Sequence, residues 1–137
     1  MPISKSVVAR RLGISSQAVN ELVKYKHGIL EEVKVGGKAL VSEASVLREI
    51  AHRMQYVANS IEASDDKCRC GCEETVNEGK SYIQGHDRRI RSYLQTMVRG
   101  GALLERDIAV GLARTLSISL EDLFGFEEGS GDNVNND

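Results

Sequence analysis

Apolar positions divide the first 60 residues into a succession of short elements separated by glycine and serine. Val7, Val8 and Leu12 share one face of a helix that Ser4 can cap, and Gly13 supplies a left-handed residue to end it. Ile14 then packs inward. Ser15 or Ser16 can cap a second helix from Gln17 to about Lys26. Its apolar side holds Ala18, Val19, Leu22 and Val23; Gln17, Asn20, Glu21 and Lys24 lie opposite. The run from Ile29 to Val35 is β-prone, Gly36-Gly37 turns, and Lys38 to Val41 returns, which predicts a hairpin. Ser42 caps a third helix with Glu43 in its first turn and Val46, Leu47 and Ile50 as the buried stripe. Helical spacing then continues through Met54, Val57 and Ala58 to Ile61. The surplus length suits core packing within one monomer, a bridge to the next segment, or a dimer seam.

Helix, turn, helix, hairpin, helix is the order of a winged helix-turn-helix. The stretch A-R-R-L-G-I-S-x-x-A-V, with Ala9, Gly13, Val19 and Leu22 at packing positions, resembles the winged domains of excisionase-like and MerR-like DNA-binding proteins. It is also similar to the DNA-recognition domains of some phage terminase small subunits. The resemblance covers about residues 1–55 and implies that the second helix enters a major groove. Gln17 and Asn20 carry the paired donor and acceptor that suit adenine. Ser15 and Ser16 can reach a base or a phosphate at the helix start. Lys24 and Lys26 would flank the DNA backbone, and Lys34 and Lys38 would reach it from the wing. Glu21 and Glu31-Glu32 depart from a basic pattern; such acids either orient lysines, reject wrong sequences or weaken DNA affinity.

The second segment, 64–99, contains every cysteine of the chain. Cys68-Arg69-Cys70-Gly71-Cys72 is followed by His86 in Gly85-His86-Asp87. Three cysteines and one histidine are a common tetrahedral zinc set, and filling all four positions with protein makes the ion structural rather than catalytic. Thr75-Val76 and Ser81-Tyr82-Ile83 are expected to pair as a hairpin across Asn77–Lys80, returning His86 to the metal. The C-x-C-x-C spacing is tighter than the usual pair, so one thiol could stay free with Asp87 or water completing the shell. The other readings are three reduced thiols or a redox switch; an iron–sulfur cluster would want a fourth cysteine. C-x-C-G-C followed by G-H-D resembles small zinc-knuckle segments of phage and bacterial proteins. Beyond it, Ile90, Leu94 and Met97 or Val98 form the inner stripe of a helix capped near Asp87. Arg88, Arg89 and Arg91 at its start suit phosphate, or pairing with the acidic third segment.

In that third segment, 100–126, Leu103, Leu104, Ile108, Leu112, Ala113 and Leu116 predict a helix, and Ser119 caps a short one holding Leu120, Leu123 and Phe124. It reads as a lid on the zinc module or as an acidic, aromatic surface that also holds Phe126. The ending I-S-L-E-D-L-F-G resembles the last helices of Cro/C1-type repressor domains. A-R-x-L-x-I-S occurs both at 9–15 and at 113–119. One short match is accounted for by common helix-end composition; the alternative is a second two-helix corner. Residues 127–137 have one apolar side chain and are expected to be a disordered acidic tail.

Charge sharpens the division. The net charge of −2 comprises +4 over residues 1–60, zero over 61–99 and −6 over 100–137. A basic front end suits a polyanion, and the acidic back end suits a protein partner. No apolar run approaches a membrane span, and the start of the chain lacks a secretory apolar core, so a cytoplasmic location is expected. His27 and His52 stand singly among polar neighbours and read as surface or capping groups. No Ser/His/Asp, Cys/His or paired-carboxylate set makes a convincing catalytic group and no glycine-rich phosphate loop is present, so no enzymatic activity is expected. The expected architecture is mainly α: a winged helix-turn-helix over 1–63, a zinc knuckle with a basic helix over 64–99, and the C-terminal helical segment. The function it implies is sequence-specific binding of double-stranded DNA by a small phage- or mobile-element-type transcriptional regulator with structural Zn2+, for which a homodimer is one form. Two alternatives are an accessory that marks DNA for a larger enzyme and a zinc-stapled protein-binding adaptor.

Overall fold

The structure, a computed structural model, describes residues 1–24, 28–101 and 103–124. Lys26, His27, Phe126 and the tail therefore lie outside the described residues. The fold is mainly helical, with one small antiparallel sheet. Its elements in chain order are β1 (Pro2–Ile3), α1 (Lys5–Leu12), α2 (Ser16–Lys24), β2 (Glu32–Val35), β3 (Lys38–Ser42), α3 (Glu43–Glu62), α4 (His86–Arg99), α5 (Arg106–Thr115) and α6 (Leu120–Phe124).

Serines start the helices of the N-terminal half. Ser4 Oγ accepts from Val7 N at 3.3 Å, Ser15 Oγ from Ala18 N at 3.1 Å, and Ser42 Oγ from Ser45 N at 3.3 Å. Each satisfies a donor that the helix start leaves orphaned. Gly36 and Gly37 both have positive φ, 57° and 82°, as a two-residue hairpin turn matching the strand twist demands. β3 is the central strand: Val41 faces Glu32 of β2 on one side and Ile3 of β1 on the other. The β1 strand has no counterpart in the hydrophobic pattern, because two residues are too few to show alternation. Pro2 is tolerated there because the strand lies at the sheet edge.

Two cores result. Val8, Ala9, Leu12, Val19, Leu30, Val41 and Val46 form the first. The second gathers Val57, Cys68, Cys70, Ile90, Leu94, Met97, Ala109, Ala113, Leu116 and Leu123, so α5 and α6 close over the cysteine-bearing segment. α3 contributes Val46 to one and Val57 to the other, and so spans both.

Between the cores lies a polar layer. Arg53 Nε donates to Glu49 Oε2 at 2.7 Å, and its NH1 donates to Thr96 Oγ1 at 2.9 Å and Ser92 Oγ at 3.2 Å. Thr96 Oγ1 in turn donates to the Leu12 carbonyl at 2.6 Å, joining α4 to the end of α1. This layer corrects the expected buried stripe of α3. Leu47, Met54 and Ile61 are 58%, 46% and 56% exposed, whereas Glu49, Arg53 and Ser60 are buried. Apolar periodicity counts carbon and cannot see a charged pair that satisfies itself.

Backbones approach closely where α4 meets α1. A Cβ on Gly100 would lie 2.0 Å from the Arg11 carbonyl oxygen, so only glycine fits. The recurring A-R-x-L-x-I-S segment proves to be a repeated corner. Gly13 and Ser117 are both left-handed, at φ 67° and 59°. Ile14 N donates to the Ala9 carbonyl at 3.0 Å and Ile118 N to the Ala113 carbonyl at 2.7 Å. Ser15 and Ser119 then begin α2 and α6 in the same way, through backbone bonds from Val19 and Leu123. The shared composition is thus the hydrogen-bond pattern of one helix-ending motif used twice.

Two further expectations change. α5 begins at Arg106, after Leu103 and Leu104, because Leu104 N is held by the Met97 carbonyl at 3.1 Å. Its inner face is Ala109 and Ala113, and Ile108 is 50% exposed. The strands expected at 75–76 and 81–83 do not pair with each other. Thr75 instead bridges Lys67, and the Ser81 carbonyl accepts from Arg69 N at 2.9 Å. The turn between them is retained, with Lys80 N donating to the Asn77 carbonyl at 3.0 Å and Gly79 at φ 81°.

Candidate metal centre

The segment between α3 and α4 wraps its backbone around the cysteines. Cys68 N donates to the Glu74 carbonyl at 2.8 Å, and Val76 N to the Asp66 carbonyl at 2.9 Å. In an extended chain Cys68, Cys70 and Cys72 would share one side but be strung out over about 13 Å, too far apart for one ion. Here Gly71, at φ 96°, and Glu73, at φ 68°, bend the chain on either side of Cys72. Gly71 also presses on α3: its Cβ would sit 2.0 Å from the Tyr56 carbonyl oxygen, and its own carbonyl accepts from Asn59 Nδ2 at 2.9 Å. His86 is the first residue of α4, set by Gly85 at φ 86° and by its own N–H, which donates to the Ile83 carbonyl at 2.9 Å.

The result is convergence of four donors. His86 Nδ1 lies 3.6 Å from Cys68 Sγ, 3.3 Å from Cys70 Sγ and 3.5 Å from Cys72 Sγ. All four ligand atoms fall within 4.8 Å of one another. A tetrahedral ion with bonds of ~2.3 Å to sulfur and ~2.05 Å to nitrogen has S···N edges of about 3.6 Å. The observed spacings match that edge, so the cluster can hold a metal ion. No cysteine is left aside, and Asp87 is not needed to complete a shell. Cys68 and Cys70 are buried; Cys72 and His86 are partly so.

Electrostatics point the same way. Burial, together with hydrogen bonds to Cys68 and Cys72, pushes the Cys70 thiol up to about 12. A cation inverts that preference, because it stabilises thiolates that the buried site otherwise disfavours. Ile83 N donates to Cys68 Sγ at 3.3 Å and would support a thiolate there. This amide and the Asn59 side chain escape sequence reasoning, since neither belongs to a spacing motif. His52, which reads as a surface group in sequence, packs against Tyr56 and Tyr93, with ring centroids 4.9 and 5.7 Å away.

The arginines after the centre diverge. Arg88 is exposed, Arg89 lies over the Tyr56 ring at 5.5 Å, and Arg91 reaches Asp87 at 3.9 Å and Asp122 of α6 at 3.7 Å. In the N-terminal half, Ser15, Ser16, Gln17, Asn20 and Lys24 are all exposed along α2 while Val19 is fully buried. Lys34 and Lys38 are exposed on the β2–β3 hairpin. The acids beside them are occupied within the protein: Glu32 meets Lys5 at 2.9 Å and Glu31 meets Arg48 at 3.3 Å. The hydrogen bond and charge of Lys5 hold the Glu32 carboxyl below its ordinary range.

Among the described residues, no helix is long and apolar enough to cross a membrane. No family model, curated protein or solved structure matches the chain.

Proposed function

We propose that the protein binds double-stranded DNA sequence-specifically through a winged helix-turn-helix, α1 to α3, with α2 as the reading helix. The observation that carries this reading is the polar face of α2. Ser15, Ser16, Gln17, Asn20 and Lys24 stand exposed on a helix whose other side is locked into the core by Val19. That arrangement presents the N-terminal side chains of a rigid helix to a groove. The hairpin carries Lys34 and Lys38 as the wing, with its acidic neighbours already paired. An open groove lined by Arg10, Ser15, Ser92, Gln95 and Arg99 runs beside the start of α2, where a DNA phosphate would meet helix N–H groups and positive charge.

In this reading the Cys68, Cys70, Cys72 and His86 ligands hold structural zinc in a knuckle whose role is to fix α4. The biological setting is a non-enzymatic regulator of transcription, of the kind carried by phages and mobile elements.

Substitution of Gln17 and Asn20 by alanine tests the assignment. Both side chains are exposed, so stability is expected to change by less than ~0.5 kcal/mol. Base discrimination should fall by about 1–3 kcal/mol at each contacted position. Unaltered sequence preference in the folded double variant would remove α2 from the reading role.

A further inference from the structure

We propose that the outer face of α3 is a self-association seam, on which a second copy of this chain packs its own α3 antiparallel. The proposal stands independently of DNA binding. Leu47, Met54 and Ile61 are 58%, 46% and 56% exposed, an unusual arrangement for three large apolar side chains on one helix. They recur every seven residues, and the exposed Ala44, Ala51 and Ala58 alternate with them in steps of three and four. This is the heptad spacing of a two-helix seam. The face lies away from the buried side formed by Val46, Glu49, Arg53, Val57 and Ser60, so a partner helix can approach it.

The seam is complementary to itself in one direction. In an antiparallel pair centred on Tyr56, Ala51 faces Ile61 of the second copy and Met54 faces its Ala58. The same two layers recur beyond the two-fold axis. Each of these four layers joins a large side chain to a small one, and Leu47 packs beyond them against the C-terminal end of the second copy's α3. A parallel pair would stack alanine on alanine and leave gaps between the large layers. The antiparallel register also places Arg48 beside Glu62 of the second copy, twice, and Gln55 beside its counterpart. Arg48 is already on the surface, 3.3 Å from Glu31, and can reach either acid. Opposite charges at these flanking positions set orientation in paired helices.

Sedimentation of the full metal-loaded chain between about 1 and 200 µM tests this, with dimer expected over that range. Met54→Glu and Ala58→Glu should each weaken dimerisation about a hundredfold, because a carboxylate would enter an apolar layer. Both positions are exposed in the monomer, so helical circular dichroism and metal content should stay unchanged. Arg48→Glu should weaken association about three- to tenfold, and the double variant Arg48→Glu, Glu62→Arg should restore it. A chain that stays monomeric, or a dimer indifferent to Met54→Glu, would overturn the seam. A dimer that the double variant fails to restore would overturn the antiparallel register.

Discussion

Between Cys70 and Cys72 the chain turns through Gly71, at φ 96° and hard against the Tyr56 carbonyl. Any side chain there meets both a forbidden backbone conformation and a 2.0 Å clash with backbone that cannot yield. Gly71→Ala should therefore destabilise the protein by at least ~2 kcal/mol, read by thermal or urea unfolding with metal present. It should also lower metal affinity, because Cys72 would no longer be folded back within reach of Cys68 and Cys70. An unchanged melting temperature would show that the turn relaxes freely. At the same scale, the acids Glu31 and Glu32 lose the significance their composition gives them. Arg48 and Lys5 pair with them locally, and Lys34 and Lys38 stand exposed on the hairpin.

The helix α3 illustrates what periodicity can and cannot tell. Its length and its Ser42 cap are legible, as are the α1–α2 corner and the Gly36-Gly37 hairpin, because caps and positive-φ glycines act locally. The ligand set Cys68, Cys70, Cys72 and His86 is legible for the same reason: its chemistry is carried by residue type and spacing. The buried side of α3 is not legible, because Arg53 and Glu49 are satisfied by each other and by Ser92, Tyr93 and Thr96 on α4, some 40 residues away. The convergence of three alternating thiols likewise depends on two backbone bends that no pattern of apolar residues records. The second A-R-x-L-x-I-S corner was written in the sequence but needed its hydrogen bonds to be distinguished from chance. The polar layer makes a sharp prediction. Arg53→Met should cost about 3–5 kcal/mol, since it leaves Glu49 charged and buried, whereas Arg53→Met with Glu49→Leu should recover most of that loss. Equal destabilisation in the two variants, measured by denaturant unfolding, would mean the pair holds the cores together by more than mutual neutralisation.

At the scale of the whole molecule, the metal centre and the proposed reading helix are connected through α4. His86 begins that helix among the cysteines; Thr96 binds the Leu12 carbonyl near its end, and Gly100 follows against Arg11. Removing the ion should loosen the start of α4 and, through it, the support beneath the α1–α2 corner. Chelation is accordingly expected to abolish cooperative unfolding of the second core and weaken DNA binding at least about tenfold, with recovery when zinc is returned. A chelated protein that stays cooperatively folded would make the centre dispensable. Recognition of DNA by this fold depends above all on α2 reading base edges. The most direct test is selection by the metal-loaded protein from a randomised pool of DNA duplexes, with affinity for the recovered sequences followed against salt. The prediction is enrichment of a defined site, bound about a thousandfold or more tighter than unrelated duplex, with an affinity that falls as salt rises. Weak, unselective binding lost at moderate salt, or no binding at all, would contradict it.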